Sequence, residues 1–405
     1  MSRIEDLLRR HCPNGVEFRT IGEIGELVRG NGIQKSDFTT EGVGCIHYGQ
    51  IHTHYGTWAT ETKSFIPSEL ATRTRQALPG NLVIATTSED DAAVGKAVAW
   101  LGDTPVAVST DAYILRHSLD PKYVSYFFQT ADFQAQKQRH VTGTKVRRIG
   151  GSGLAQIWIP TPPVEVQAEI VRVLDSFESL EKELEKELEA RTRQYALVRS
   201  RLLTSVMQVE RTTLGDVCIR VISGGTPLAT RRDYYDGEIP FLRTQEVRYS
   251  DIVDTELKIS QSAVEQSAAR WVPPNCVIVA ISGAGVTRGR VAVNRIPLTT
   301  NQHCCALEID PKRAHYRYVF HWLVMQYDDL RSRGQGNRSD LNMGIVKAYP
   351  IDLPPLPEQE RIASILDKFD ALVNDLSVGL PAELVARRRQ YEYYRDRLLR
   401  FEEAA

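Results

Sequence analysis

Residues 162–180 read PPVEVQAEIVRVLDSFESL, and residues 354–372 read PPLPEQERIASILDKFDAL. Pro162, Pro163, Gln167, Ile170, Leu174, Asp175, Phe177 and Leu180 recur as Pro354, Pro355, Gln359, Ile362, Leu366, Asp367, Phe369 and Leu372, 192 residues later. Further on, Arg193, Gln194, Tyr195, Arg199, Arg201, Leu202 and Leu203 recur as Arg389, Gln390, Tyr391, Arg395, Arg397, Leu398 and Leu399, now 196 residues later. The second copy therefore carries four extra residues, and Gly379, Leu380 and Pro381 lie where they enter. Fainter echoes precede both stretches. Val16-Glu17 with Ile21-Gly22-Glu23-Ile24 resembles Val209-Glu210 with Leu214-Gly215-Asp216-Val217, and Asn81-Leu82-Val83-Ile84 resembles Asn275-Cys276-Val277-Ile278. A repeat of this period means one structural plan used twice.

The repeated stretch is helical. Ile170, Val173, Phe177, Leu180, Leu184, Leu188, Tyr195, Val198 and Leu202 fall at helical spacing, with Glu and Lys filling the other face. Pro162-Pro163 stops the preceding strand and opens the helix. About 40 residues at about 1.5 Å each make a rod of about 60 Å. The second copy repeats the stripe with Ile362, Ile365, Phe369, Leu372 and Leu376, but Gly379 and Pro381 should kink or interrupt it. One such helix cannot bury its stripe alone. Two in one chain suggest an antiparallel pair within the molecule, with a coiled coil between molecules as the alternative.

The portions before each helix are rich in short β-type runs and turns. Examples are residues 82–84, 106–108, 278–280, 291–293 and 305–307, with helical stretches near 121–138 and 311–332. The expected fold class is α+β, with two similar globular domains separated by a pair of long antiparallel, coiled-coil-like helices in an internal pseudo-twofold repeat. The expected segments are a globular domain over 1–161, a helix over 162–208, a globular domain over 209–353 and a helix over 354–405.

Composition narrows the function. The chain has 405 residues, 42% hydrophobic and 25% charged, with a formal net charge of -1. That is a globular balance with no global basic field to draw in nucleic acid. The start, MSRIEDLLRR, has acids and no signal-peptide core, and the longest apolar runs are too short to span a bilayer. Six cysteines form no C-x-x-C pair. The cytoplasm is the expected compartment, with no membrane partner.

No catalytic signature stands out. There is no phosphate loop, and the Asn/Asp-Pro-Pro-aromatic tetrapeptide of amino-methyltransferases is missing. Glu256-Leu257-Lys258 could imitate a nuclease motif, but no well-placed upstream Pro-Asp supports it. Cys45, His47, His52 and His54 are the one metal-like cluster, and their spacing fits loop packing better than zinc. No metal site and no catalytic residue are expected.

Basic loops recur instead. Residues 139–148, RHVTGTKVRR, and 331–339, RSRGQGNRS, lie before the last strand of each globular portion, with Gly143 and Gly336 193 residues apart. Glycine lets backbone amides approach a phosphate, and the side chains supply donors to phosphates or base edges. The candidate nucleic-acid contacts are Arg139, Thr144, Lys145, Arg147 and Arg148 in the first loop, and Arg333, Asn337 and Arg338 in the second. A second matched pair adds Lys96, Arg288 and Arg290, and Arg243 stands alone. Weaker candidates are Tyr48, Gln50, Arg231, Arg232 and Gln245. A solvated charged loop is the plain alternative for each.

This layout resembles the specificity subunit of type I restriction-modification systems, over nearly the whole chain. The closest local match is residues 353–362, LPPLPEQERI, near that family's LPPLPEQ-x-x-I. Residues 223–227, SGGTP, through 237–241, GEIPF, also look like that family. The first helix departs from the pattern, with Val164-Glu165-Val166-Gln167 in place of L-P-E-Q.

The resemblance implies a non-catalytic subunit whose two target-recognition domains each read half of a bipartite, asymmetric site in double-stranded DNA. The helices would set the spacing and dock two modification (methyltransferase) subunits through Gln167, Ile170, Leu174, Phe177, Gln359, Ile362, Leu366 and Phe369. No cofactor is expected in this chain; S-adenosylmethionine, ATP and Mg belong to the partner subunits, restriction subunits among them. The rival readings are a similar recognition module outside type I systems and a coiled-coil scaffold with no nucleic-acid role.

Overall fold

The computed structural model describes residues 2–283, 286–334, 340–375 and 377–404. It divides into two compact units, Met1–Lys182 with Ala386–Ala405, and Glu183–Val385. Compactness thus cuts differently from the expected segments. Each unit holds one globular body, the start of the helix that follows it, and the end of the other helix.

The first unit is built on two sheets. The five-stranded sheet runs Gly25–Arg29, Ala112–His117, Leu82–Ala85, Ala97–Trp100, Trp58–Ala59; the four-stranded one runs Ser64–Ile66, Val43–Ile46, Val106–Val108, Gln76–Ala77. The second unit repeats both orders. Its larger sheet is Cys218–Ile222, Cys304–Ile309, Val277–Ala280, Val291–Asn294, Asp251–Ile252, and its smaller sheet is Leu257–Ile259, Ile239–Leu242, Leu298–Thr300, Arg270–Val272. The sense of pairing repeats too. In each larger sheet only the last pair is parallel, and in each smaller sheet only the middle pair. The central strands Leu82–Ala85 and Val277–Ala280 are buried at every position, which is why they read as continuous apolar runs.

One helix, Val164–Thr204, spans 41 residues. The expected second helix is two: Leu356–Asn374 and Leu380–Leu398. The break has a cause. Gly379 packs so tightly that a Cβ there would meet the Ala371 and Leu372 carbonyl oxygens at 2.4 and 2.7 Å, and Pro381 stands in the opening turn of the new helix, where its missing N–H costs nothing.

Within each unit the helices close on the body and on each other. In the first unit Phe177 stacks on Tyr394 with ring centroids 5.5 Å apart, and Arg388 pairs with Glu181 at 2.6 Å, so the segments run antiparallel. In the second, Tyr195 stacks on Phe369 at 6.2 Å. The chain end completes the first unit. Ala404 N–H donates to the Val16 carbonyl and Val16 N–H to that of Glu402.

Candidate nucleic-acid interface

Register places the loops of each body at one end. In the first unit Tyr113 pairs with Arg29, Ala112 with Ala85, and Ile84 with Ala97, so residues 30–37, 86–96 and 109–111 leave the larger sheet together. The smaller sheet adds residues 47–54, since Ser109 N–H donates to the Ile46 carbonyl and Tyr48 N–H to the Ser109 hydroxyl. The hairpin Val141–Thr142 with Arg147–Ile149 hydrogen-bonds to Thr87–Ser88 and extends this rim. The second unit forms a matching rim from residues 223–228, 243–249, 281–283, 286–290 and 301–303.

The opposite end of each body meets its helix. Gln167 is buried; its amide oxygen accepts from Asp120 N–H at 2.8 Å and its nitrogen donates to the Pro162 carbonyl at 2.7 Å. Gln359 does the same with His315 N–H at 2.9 Å and the Pro354 carbonyl at 2.8 Å. An aspartate one helical stretch further repeats the clamp. Asp175 accepts from Lys122 at 2.7 Å and from Tyr126 at 2.8 Å, while Asp367 pairs with Arg317 and accepts from His321 at 2.7 Å. Burial opposes ionisation of Asp367, but hydrogen bonds from His321 and Arg317 outweigh it and hold its carboxyl below the usual range.

These positions correct the expected docking residues. Ile170, Leu174, Ile362 and Leu366 are fully buried, and Gln167 and Gln359 nearly so. Phe177 and Phe369 stack on Tyr394 and Tyr195. This part of the repeated apolar stripe is taken up inside each unit, whereas Leu180 and Leu372 further along it are exposed.

The candidate nucleic-acid contacts divide. Arg139, Thr144, Lys145 and Arg148 are exposed, the last three on the rim hairpin. Arg147 is not available in the same way: it pairs with Asp91 at 2.6 Å and donates to the Gly143 carbonyl, holding the hairpin in shape. Lys96 turns inward and donates to the Tyr55 carbonyl at 3.1 Å, and Arg290 lies 5.8 Å from the Tyr249 ring. The two sit after matched glycines, Gly95 and Gly289, whose positive φ brings the loop against Lys137 and Phe133 in one unit and Arg331 and Tyr327 in the other. At both places the glycine sets the loop against a helix, and Lys96 is held inward by its hydrogen bond to Tyr55. Arg288 is half-buried in the same loop. Arg243 is committed to Glu256 at 2.6 Å and Glu246 at 3.6 Å. Arg333 is exposed, pairs with Asp329 at 2.9 Å and lies 4.5 Å from the Tyr349 ring. Asn337 and Arg338 lie outside the described residues.

The histidine cluster, expected in a loop, lies on the short helix Tyr48–Thr53, with His47 as its N-cap and His54 as its C-cap. His47 accepts from Gly49 N–H at 3.1 Å and sits 4.6 Å from the Tyr48 ring, while His52 Nε2 lies 3.0 Å from the Thr87 carbonyl. Burial holds both imidazoles below their ordinary range. Among the described residues no group of His, Cys, Asp and Glu is placed to hold a metal ion, and no helix is long and apolar enough to cross a membrane.

Sequence reasoning missed the cation at each clamp, although Asp175 and Asp367 were visible as a match. The available signal was that Lys122 and Tyr126 precede Arg317 and His321 by one common interval, 195 residues. It also missed the polar side chains of the 301–303 turn, which carry no charge to mark them.

The family profile described as "Type I restriction modification DNA specificity domain" matches residues 13–190 and again 208–386. The specificity subunit of the type I restriction enzyme EcoR124I/EcoR124II from Escherichia coli is 31% identical over 291 residues, covering 69% of this chain and 70% of that one. Among solved structures, the S subunit of a type I restriction-modification system from M. genitalium aligns over 95% of this chain and 96% of its own, with a TM-score of 0.56 and 14% identity. A chain solved in work on complex assembly and conformational transition of the type I R-M system aligns over 96% and 98%, with a TM-score of 0.62 and 17% identity. Both structural likenesses concern the fold.

Proposed function

Since this chain belongs to the type I restriction-modification DNA specificity family, as a non-catalytic subunit with two DNA-recognition domains, we propose that its two loop rims are the surfaces that meet DNA, each reading one half of a bipartite site. The observation that carries this is the duplicated topology with dissimilar rims: one scaffold, clamped the same way twice to its helix, presents different side chains at matching loop positions. The measurement is the affinity of the chain, assembled with its methyltransferase partner, for duplexes scrambled in one half-site or both. Mismatches cost about 1–3 kcal/mol each and add when well separated, so the losses from the two halves should sum. Losses that fail to sum would mean the halves do not read separately.

We further infer that two modification subunits dock on helix faces left exposed outside the buried stripe. Arg193, Leu197 and Arg201 in one unit match Arg389, Tyr393 and Arg397 in the other, and Leu197 and Tyr393 are 72% and 58% exposed. Tyr393 also lines a cavity of about 880 Å³ with Phe18, Arg389, Arg397 and Phe401. An apolar anchor between two arginines suits a partner surface that is apolar with an acidic border, and its duplication suits two copies of one partner. Leu197→Asp or Tyr393→Asp should each remove one partner copy by native mass measurement, with the fold intact by circular dichroism. Retention of both copies in both variants would exclude these faces. Restriction subunits, and the S-adenosylmethionine, ATP and Mg of the chemistry, belong to the partners in this reading.

A further inference from the structure

On the premise that the rims meet DNA, we propose that Gln302 is a specificity-determining residue that reads an adenine in the major groove. The residue is exposed on the 301–303 turn of the second unit's rim, and its side chain is held by neighbours rather than left to rotate. Thr226 Oγ1 donates to Gln302 Oε1 at 2.7 Å. Gln302 Nε2 lies 3.2 Å from His303 Nε2, and His303 Nδ1 lies 2.6 Å from Ser282 Oγ. One assignment satisfies the whole row: His303 carries its proton on Nδ1 and donates to Ser282, so its Nε2 accepts from the Gln302 amide.

The turn beneath is fixed as well. His303 N–H donates to Asn301 Oδ1 at 3.0 Å, Ile281 N–H to the His303 carbonyl at 2.9 Å, and Asn301 N–H to the Leu242 carbonyl at 3.3 Å. Three rim segments, 223–228, 281–283 and 301–303, are thus joined through Thr226, Ser282 and His303 around one amide.

The amide keeps half its capacity. Its oxygen has a second lone pair and its nitrogen a second hydrogen, both in the plane of the amide. Adenine shows the complementary pair in the major groove, the N7 acceptor beside the N6 amino donor, and glutamine meets it with two parallel hydrogen bonds. The match survives a flip of the amide, which exchanges the roles of Thr226 and His303 but still leaves one donor and one acceptor unused. Holding the side chain in advance spares ordering entropy on binding. The first unit fills this place differently: Thr110 Oγ1 accepts from Gly32 N–H at 3.2 Å, and Asp111 pairs with Arg29 at 3.7 Å. The same turn therefore presents an amide in one unit and a hydroxyl with a carboxylate in the other.

The test uses the full chain assembled with its methyltransferase partner and duplexes in which each base pair of the site is replaced in turn. Gln302→Ala should lose roughly 10- to 100-fold of the preference for adenine at one position of one half-site, with all other positions unchanged. Gln302→Glu, an acceptor-only side chain, should move that position toward cytosine, whose N4 amine donates. Thr226→Val should weaken the same position by a smaller factor, and unchanged thermal unfolding of these exposed variants separates the effect from misfolding. Full discrimination in Gln302→Ala, or a loss at a G·C position, would overturn the assignment of Gln302. A wild-type assembly with no sequence preference at all would instead overturn the DNA-recognition premise.

Discussion

Lys137 is a lysine at 1% exposure whose ammonium donates to the carbonyls of Val94 and Ala92, at 2.7 and 3.0 Å. Burial pushes it down to about 8, against the opposing pull of Asp90 and Asp91. The unfolded chain holds this proton up to the ordinary lysine range, near pH 10.4, while the folded unit releases it from about pH 8. Across that window the unfolded state binds more protons, so stability rises with pH. Unfolding of the wild type by urea between pH 7 and 10 should show this gain in the first unit, and Lys137→Met should flatten it. The clamps make a second prediction at this scale. Arg317 is 6% exposed with three carboxylates around it, Asp251, Asp367 and Asp370, whereas Lys122 is 20% exposed and pairs with Asp175. Asp367→Asn should therefore destabilise its unit by about 1–3 kcal/mol, more than Asp175→Asn does in the other, as read by chemical denaturation. Equal losses would mean that burial of the cation does not set the strength of the clamp.

At the scale of elements, the Val164–Thr204 helix contributes its start to one unit and its end to the other. At about 1.5 Å per residue it is about 60 Å long. If its length is what spaces the two half-sites, an added helical turn near residue 183 should lengthen the unread spacer and leave both half-sites alone. Mapping the methylated motif in cells carrying that variant checks this; an unchanged spacer with altered half-sites would count against a ruler. The helices were also the most legible part of the sequence. Their period is long, their apolar positions match across the repeat, and proline and glycine mark their ends. The interruption was readable too, because Gly379 and Pro381 act through local backbone geometry. What the stripe touches was not readable. Phe177 could have faced a partner or Tyr394 with the same periodicity, and only packing decides.

The whole molecule is one plan written twice, and that much follows from residues 162–180 set against 354–372. The shared sheet orders were not legible, because short strands carry no record of their neighbours. The rims were half legible. Charge and glycine pointed to the hairpin at 141–149, but charge also drew in Lys96 and Arg243, which are engaged by the Tyr55 carbonyl and by Glu256 and Glu246. Gln302 stayed hidden because an uncharged side chain on a turn looks like any other until its neighbours are known. The central claim is that the units read separately, and Lys145 and Arg148 test it best, being exposed on the first rim and away from every clamp. The decisive measurement is the genome-wide methylation motif in cells carrying the wild-type chain or the double variant Lys145→Ala, Arg148→Ala. The expected result is a motif loosened in one half-site with the other half-site and the spacer intact; loosening of both halves together would contradict it.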